Sequence, residues 1–425
     1  MKTEIIAVGS ELLTPFFQDT NSLFLTERLN DLGLGVSFKT IVGDDEGDLH
    51  EAIQVSLGRA DLVIAMGGLG PTEDDRTREV FAEALGRRLV FEPRILAAIR
   101  QRFRSRGLPM SATNRKQSYV IEGAEVLDNP NGTAPGLWIA TRDRRIALLP
   151  GPPRELKPMF DDHVRPRLMS LARGVTVRRV LRLTGIGESA MEAKIKDLYR
   201  AVPAGVSVTT LAMPGDLAIH LVYHGDAARP AAGTGLEALE RKYVRRLASW
   251  IYSKDGEPLE AVVGRLLKDR NSTLACAESC TGGLLSHRLT NIPGSSAYLL
   301  ESAVVYSNEA KTRRLGVPAA LVAKHGAVSA AVAEAMAAGI RRTSGADYGL
   351  AITGVAGPGG GTARKPVGLV YIALARSAGV TVEKNLFLGG REQTKFQASQ
   401  KALDILRKAL IKTAEKKYNI RKCNR

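Results

Sequence analysis

A serine, a lysine and an arginine stand among glycines in the last third of the chain, in a pattern typical of nucleophilic catalysis. Ser279 lies where a predicted strand turns into a predicted helix, shortly before Gly282 and Gly283. This placement sets a hydroxyl beside the backbone N–H groups of a helix N-terminus, which suit an anion or a developing oxyanion. A simpler interpretation stays open, in which Ser279 or Thr281 is only the N-cap of that helix.

Lys311 is a candidate proton acceptor for the serine. Tyr306 ends a predicted strand, and Lys311 follows it by five residues. The chain has no G-x-S-x-G motif, and His287 and His325 lie in no recognisable triad. A partly buried lysine with a lowered pKa can do this work, although a lysine on the surface of a helix would give the same spacing.

Two further segments follow predicted strands of the same region. Thr353 and Gly354 lead into the glycine-rich run 357–361, where glycines allow a ligand to approach the backbone or simply make a flexible turn. Arg391 is a candidate phosphate clamp, since arginine binds phosphate in a bidentate manner, but solvent exposure explains a single arginine equally well. We expect these four pieces to meet at the ends of the strands.

A second candidate site lies in the first third of the chain. The turn 67–70 is rich in glycine and is followed by Thr72, Asp74 and Asp75. Glycines at a helix start suit phosphate, and paired carboxylates suit a divalent metal that bridges phosphates. The same T-x-x-D pattern is close to a helix-capping box, and both can hold together. The residues expected to line this site are Glu11, Asp19, Asn21, Gly68, Gly70, Thr72, Asn131, Gly132 and Thr133, with Asp74 and Asp75 as metal ligands.

Strands alternate with helices in both of these regions, which indicates parallel sheets covered by helices. The sequence between them has a β-α-β-β-α order. The predicted fold class is therefore α/β, with two doubly wound α/β domains joined by a small α+β connector domain. The expected boundaries are 1–168 for the first domain, 172–254 for the connector, 258–412 for the last domain and 413–425 for a basic tail.

Composition restricts the class of protein. The 425 residues are 44% hydrophobic and 24% charged, which is enough apolar content for packed cores and excludes general disorder. No apolar run reaches the roughly 18 residues that span a bilayer. The three cysteines have neither a disulfide framework nor zinc spacing, and they fit a reducing compartment. We expect a cytoplasmic protein with no membrane partner.

The net charge of +16 raises the question of nucleic acid. Residues 87–117 carry a net +8 and residues 401–425 a net +7, so the excess is confined to two patches. Aromatic residues are only 5% of the chain and do not alternate with the basic ones as a base-stacking platform would require. We therefore do not expect nucleic acid as a partner.

The motifs of the last third resemble the C-terminal domain of the CinA (competence/damage-inducible protein A) family. The segments that carry the resemblance are 277–283, 306–311, 325–329 and 353–358. The resemblance implies a nicotinamide mononucleotide amidohydrolase, which yields nicotinate mononucleotide and ammonia without a cofactor. It implies Ser279, Tyr306 and Lys311 as catalytic residues, and as substrate-binding residues Thr281, Gly282, Gly283, Asn308, Thr353, Gly354 and Arg391. The family usually has an acidic residue before the arginine, where this chain has Gly390.

Residues 1–168 are similar to the molybdopterin-binding-like domain that opens CinA proteins. The resemblance implies hydrolysis of the pyrophosphate of ADP-ribose with a divalent metal, Mg²⁺, Mn²⁺ or Co²⁺. In this chain Pro15, Phe16 and Phe17 fill the place where the family has a glycine. A proline and two aromatic rings would stiffen and fill the mouth of the pocket.

The leading hypothesis is thus a hydrolase of pyridine nucleotide salvage that acts on small nucleotides and forms a homo-oligomer, with a dimer favoured. A molybdopterin-handling transferase is one alternative, but it would leave the Ser279, Tyr306 and Lys311 set unexplained. A non-enzymatic, competence-linked protein that binds nucleic acid is the other, and only the two basic patches favour it.

Overall fold

The computed structural model describes residues 1–171, 174–226 and 235–423. Its contacts divide the chain into two compact units. The first unit holds the N-terminal domain, the start of the connector up to Val177, and residues 223–226. The second unit holds Arg178–Val222 and the described residues from Gly235 onward, which are most of the connector and the C-terminal domain. None of the helices in the described part of the chain is long and apolar enough to cross a membrane.

The N-terminal domain is built on a six-stranded sheet with the order β2-β1-β3-β8-β7-β6, and β4 and β5 form a separate antiparallel pair. The strands are β1 (Thr3–Val8), β2 (Val36–Val42), β3 (Leu62–Met66), β4 (Leu89–Phe91), β5 (Tyr119–Ile121), β6 (Glu125–Leu127), β7 (Gly136–Ala140) and β8 (Arg145–Leu149). Neighbouring residues of β1 point into different cores, since Ile5 and Ile6 are both fully buried but belong to separate apolar clusters. The sheet is therefore covered on both faces, as alternation along a strand requires.

Helices cover this sheet and begin at recognisable caps. They are α1 (Thr20–Asp31), α2 (Glu46–Arg59), α3 (Thr77–Ala84), α4 (Pro93–Ser105), α5 (Pro153–Met159) and α6 (Arg165–Leu171), and a π-helical turn joins the last two. The Asp19 carboxylate accepts the Ser22 N–H at the start of α1, and Asp45 does the same for Gly47 and Asp48 at α2. These caps supply acceptors for N–H groups that have no partner within the helix.

The connector is a four-stranded sheet with the order β10-β11-β9-β12 and two helices. Its elements are β9 (Gly174–Leu183), α7 (Glu188–Ile195), β10 (Val206–Met213), β11 (Asp216–Asp226), α8 (Leu236–Leu247) and β12 (Ile251–Ser253). A polar cluster fixes the sheet, because the Asp216 carboxylate accepts hydrogen bonds from Arg182 at 3.0 Å and from the Tyr252 hydroxyl at 2.7 Å. Burial raises the pKa of both Asp216 and Tyr252.

The C-terminal domain is a five-stranded sheet with the order β14-β13-β15-β16-β17. The strands are β13 (Leu274–Glu278), β14 (Leu299–Val304), β15 (Tyr348–Gly354), β16 (Leu369–Arg376) and β17 (Gly379–Leu386). The helices are α9 (Leu259–Asp269), α10 (Leu284–Thr290), α11 (Asn308–Leu315), α12 (Ala319–His325), α13 (Ala330–Ser344) and α14 (Arg391–Cys423). The two apolar clusters of this domain include alternate residues of β13, Cys276 in one and Ala275 in the other.

The α/β class is confirmed, but the expectation of fully parallel sheets is wrong. Strands β7 and β8 pair antiparallel, and so do β16 and β17. Four residues join the first pair and two join the second. A parallel pair needs a crossover of a dozen or more residues, so connections this short can only make antiparallel strands.

The last helix is longer than the sequence analysis predicted. Residues 413–425 were expected to form a separate basic tail, whereas α14 continues to Cys423. Alanine, glutamate and lysine at positions 414–417 are good helix formers, so nothing in that segment ends the helix.

Candidate functional site

A tight turn from β13 into α10 presents Ser279. Strand β13 ends at Glu278, and α10 begins at Leu284. Gly282 and Gly283 have φ angles of 63° and 97°, a region that side chains with a Cβ rarely adopt. The glycines therefore allow the chain to reverse within a few residues of the serine.

The Glu278 carboxylate occupies the start of α10. It accepts the backbone N–H groups of Gly283, Leu285 and Ser286 at 2.9–3.1 Å, together with the Ser286 hydroxyl. The expectation that these N–H groups are free for an anionic ligand is wrong, and so is the alternative that Ser279 or Thr281 caps the helix. Glu278 is fully buried, and burial of a polar group is costly unless hydrogen bonds compensate it.

Ser279 and Lys311 are in direct contact. The Lys311 Nζ lies 3.1 Å from the Ser279 Oγ, and it also donates to the carbonyl oxygens of Val305 at 2.9 Å and Tyr306 at 3.1 Å. Lys311 is only 1% exposed and Ser279 8%. The alternative of Lys311 as a surface residue of α11 is thus wrong.

The surroundings of Lys311 favour its neutral form. Burial lowers the pKa of Lys311, and the nearby Cys280 and Glu309 only partly oppose this effect. A neutral amine has two N–H groups and one lone pair. The two carbonyl oxygens can accept the two N–H groups, which leaves the lone pair for the remaining partner, the Ser279 hydroxyl. A neutral Lys311 in this position can accept a proton from the serine hydroxyl.

Tyr306 lies beside this pair in the loop between β14 and α11, and Asn308 is the first residue of α11. Strand β14 ends at Val304, so the expectation that Tyr306 ends a strand is wrong by two residues. The Val305 N–H still bonds to the Glu278 carbonyl of β13, and the chain then turns into α11, which Ser307 caps. The Tyr306 ring is 62% exposed, and Asn308 is exposed at the first position of α11.

Arg391 joins Tyr306 to the loop that follows β15. One guanidinium nitrogen donates to the Gly357 carbonyl at 2.7 Å, and the other to the Tyr306 hydroxyl at 3.4 Å. The bond to Tyr306 raises the pKa of Arg391, so the group stays a cation. The phenol is therefore next to the arginine, and Lys311 contacts only the backbone of Tyr306.

The remaining predicted substrate-binding residues surround the same turn. The Ser279 N–H bonds to the Ile352 carbonyl, which brings Thr353 and Gly354 alongside. The Thr353 hydroxyl donates to the Ala327 carbonyl at 2.9 Å. The Thr281 hydroxyl is buried and has no hydrogen-bond partner among the residues that the structure describes.

The N-terminal domain has a cleft of about 790 Å³ at the ends of β1 and β3. The predicted residues that line it are Glu11, Asp19, Asn21, Gly68, Gly70, Thr72, Thr133, Asp74 and Asp75. Asn131 and Gly132 are not among the lining residues of this cleft. The Asn129 Oδ1 accepts hydrogen bonds from the backbone N–H groups of both residues. Gly132 also packs against the Glu155 side chain.

The two aspartates of this cleft differ in their contacts. Asp75 accepts the N–H and the hydroxyl of Thr72 at 2.8 and 2.5 Å, so it closes the turn. The capping interpretation is wrong, because α3 begins only at Thr77 and its N-cap is Arg76. Asp74 is exposed. Within the described residues, no group of three or more His, Cys, Asp or Glu side chains is placed to hold a metal alone. The two aspartates fit a metal that takes one or two carboxylates and completes its coordination with substrate phosphate.

Other side chains of the cleft were not singled out from the sequence. Asp44 and Gln117 line it as well, and the exposed rings of Phe16 and Phe17 stand at its wall. Glu278 was also missed as a cap of α10. Its signal in the sequence is an acidic residue at a strand end directly before a glycine-rich turn.

Three family models match the chain: the CinA C-terminal domain over residues 256–410, a probable molybdopterin binding domain over 4–170, and the damage-inducible protein CinA KH domain over 178–253. A CinA-like protein of Koribacter versatilis is 46% identical over 97% of this chain and 100% of its own length. A CinA-like protein of Acidobacterium capsulatum is 46% identical over the same shares. A crystal structure of a competence-damaged protein (CinA) superfamily protein from Klebsiella pneumoniae is 37% identical, with 36% of this chain and 96% of that chain covered and a TM-score of 0.35.

Proposed function

The chain belongs to the CinA family, and from that premise we propose that its C-terminal domain hydrolyses the carboxamide of nicotinamide mononucleotide to nicotinate mononucleotide and ammonia. The observation that carries the proposal is the contact between the buried Lys311 amine and the Ser279 hydroxyl at 3.1 Å. The Ser279 hydroxyl has a base beside it and lies in a turn whose glycines leave room for a substrate. Such a hydroxyl can attack the carbon of an amide.

The chemical steps use only these two side chains and water. The Ser279 oxygen bonds to the carboxamide carbon while Lys311 takes the hydroxyl proton. Lys311 returns that proton to the nitrogen as the C–N bond breaks and ammonia leaves. Water then attacks the ester on Ser279, with Lys311 again accepting the proton and passing it back to the serine oxygen. The net change is one amide and one water to one acid and one ammonia.

Arg391 is the proposed contact for the phosphate of the substrate. It is the cation next to the exposed Tyr306 ring, and its planar group can hold two phosphate oxygens. The α10 N-terminus is closed to this role because Glu278 fills it. The phosphate and the carboxamide are thus recognised by different elements of the domain.

The test is ammonia release from nicotinamide mononucleotide by the purified chain. We expect Ser279→Ala to lower kcat by about 100-fold or more, as loss of a nucleophile does. The exposed Ser105→Ala of the N-terminal domain is the control and should leave kcat unchanged. Near wild-type turnover in Ser279→Ala would favour direct attack by water and contradict the serine mechanism.

As a second activity, we propose metal-dependent hydrolysis of the pyrophosphate of ADP-ribose in the N-terminal cleft. The supporting observation is the cleft itself, whose wall joins the Gly67–Gly70 turn to Asp74 and Asp75. A divalent metal held there would neutralise phosphate charge. Incubation of ADP-ribose with the chain and Mg²⁺, Mn²⁺ or Co²⁺ tests the proposal. An absence of cleavage with all three would leave the domain as a ligand-binding module, for which molybdopterin is the alternative ligand.

A further inference from the structure

The turn between β10 and β11 of the connector lies directly against α14 of the C-terminal domain. Gly215 in this turn has a φ of 84°, and a Cβ added there would lie 3.3 Å from the Cγ of Gln397. The Thr184 hydroxyl donates to the Gly215 carbonyl at 2.9 Å, and the next residue is Asp216, which is bonded to Arg182. The turn is therefore fixed from within the connector, and glycine is needed for its close approach to Gln397.

Gln397 in turn holds the loop in front of α14. Its Nε2 donates to the Leu388 carbonyl at 2.8 Å and to the Gln393 carbonyl at 3.2 Å. The Gln393 side chain reaches back to accept the Gly390 N–H at 3.0 Å, which is half of a capping box. Arg391 is the next residue, so its backbone position depends on these amide side chains.

Among the described residues of this loop, apolar packing provides an anchor only at Phe387, which packs against the core of the C-terminal domain. The side chains of Leu386 and Leu388 are 60% and 81% exposed. Since burial does not anchor these leucines, hydrogen bonds to the carbonyl and N–H groups of the loop carry more of its positioning.

We propose that the connector is a positioning element of the amidohydrolase site: its β10–β11 turn braces Gln397, and Gln397 sets the loop that carries Arg391. The connector thereby governs the affinity for the substrate phosphate, while Ser279 and Lys311 act without it. This inference rests on the proposed function of Arg391.

The first test is Gln397→Met, which keeps the length of the side chain and removes both hydrogen bonds. We expect the Kd of nicotinate mononucleotide, measured by calorimetry, and the KM of nicotinamide mononucleotide to rise about fivefold, the usual effect of one lost hydrogen bond. The kcat should stay within about twofold, since the interaction is equal in ground and transition states. Nicotinamide riboside, which lacks the phosphate, should be turned over as by the wild type. Arg391→Ala removes the guanidinium itself, so its rise in Kd and KM is the largest that a displaced Arg391 could cause.

The second test is Gly215→Ala, which strains the turn and pushes on Gln397. Its matched control is Gly345→Ala, because Gly345 has a similar φ of 70° but open space at its Cβ. We expect Kd and KM to rise in Gly215→Ala and to stay unchanged in Gly345→Ala. The melting temperature should fall by a similar amount in both variants.

The outcomes separate this inference from the proposed function. Unchanged Kd in Gln397→Met and Gly215→Ala overturns the inference, and so does an equal loss of turnover on both substrates. A wild-type chain that binds nicotinate mononucleotide but releases no ammonia overturns the amidohydrolase proposal, while the Kd values still decide the role of the connector. A chain that does not bind the mononucleotide overturns both.

Discussion

Two adjacent residues at the end of β13 offer a nucleophilic atom, and their surroundings distinguish them. Burial raises the pKa of the Cys280 thiol to about 12, so this sulfur stays protonated and unreactive near neutral pH. Ser279 instead contacts the Lys311 amine. The serine hydroxyl, which is the weaker nucleophile, thus has a base beside it. The Cys280 thiol, which is the stronger one, stays protonated.

The state of Lys311 gives a prediction on pH. Its amine must be neutral to accept the serine proton, and burial lowers its pKa below the ordinary lysine value. We expect kcat/KM for nicotinamide mononucleotide to rise with pH through one ionisation, with a midpoint below that of an ordinary lysine of about 10.4. Activity is therefore lost as the pH falls through this midpoint, because the amine becomes charged.

Lys311→Arg is the sharpest variant for this prediction. A guanidinium keeps the positive charge but does not lose its proton in this range, so kcat should fall by about 100-fold or more. Circular dichroism checks the fold. A pH profile that is flat in the wild type, or a Lys311→Arg variant that keeps its turnover, would remove Lys311 as the base.

At the scale of elements, both glycine-rich turns hold a carboxylate of the chain itself. Glu278 takes the N–H groups at the start of α10, and Asp75 takes the Thr72 N–H and hydroxyl after the Gly67–Gly70 turn. A turn that looks open to anions in the sequence is thus partly filled from within. Any anionic ligand must then be held by the remaining groups, which in the C-terminal domain points to Arg391.

The Asp75 turn leads to a prediction on stability. Asp75→Ala should lower the free energy of unfolding by about 1 kcal/mol, the usual loss for a side chain that closes a turn by hydrogen bonds. Asp74→Ala should change it by less than about 0.5 kcal/mol, because Asp74 is exposed. Urea unfolding followed by circular dichroism measures both. Equal losses in the two variants would show that Asp75 has no special part in the turn.

Asp75→Asn distinguishes the role of Asp75 in the turn from its proposed role as a metal ligand. An amide oxygen can still accept both groups of Thr72, while the charge is removed. We expect unchanged unfolding but weaker Mn²⁺-dependent cleavage of ADP-ribose. If the wild type cleaves ADP-ribose and Asp75→Asn matches it, the metal is held elsewhere.

At the scale of the whole molecule, the two units carry different candidate sites. All of the amidohydrolase residues lie in the second unit, within the C-terminal domain, which has apolar clusters of its own. The basic residues of 87–117 belong to the other unit, and four of the nine lie on α4. The connector has no G-x-x-G sequence, the loop by which KH domains clamp nucleic acid. The competence-linked binding hypothesis therefore gains no support from the connector.

Truncation tests this separation. The chain shortened to residues 174–425 should release ammonia from nicotinamide mononucleotide with kcat and KM within about twofold of the full chain, as expected of a domain with its own core. EDTA should leave this rate unchanged. Loss of ammonia release on truncation, or its removal by EDTA and recovery with zinc, would contradict the proposed division and chemistry.

The sequence by itself determined the α/β class, the segments around both clefts and the residues that could do chemistry. Alternation of strands and helices and the glycines at strand ends are local features, so they can be recognised without coordinates. The approach of Ser279 and Lys311 follows from the same logic, because both lie just beyond the ends of the adjacent strands β13 and β14.

Tertiary structure alone decided which partner each polar group has. The path of a turn brings Glu278 to the start of α10. Two other contacts join segments that are far apart in the chain: the Tyr306 hydroxyl bonds to Arg391, and Gln397 packs against Gly215. Hydrogen bonds are satisfied in the folded chain as a whole, and the residue type shows only that a donor or an acceptor exists. The antiparallel edges of both sheets were missed for a related reason, because the direction of a strand depends on the length of its connection, and strand boundaries are weakly marked in sequence.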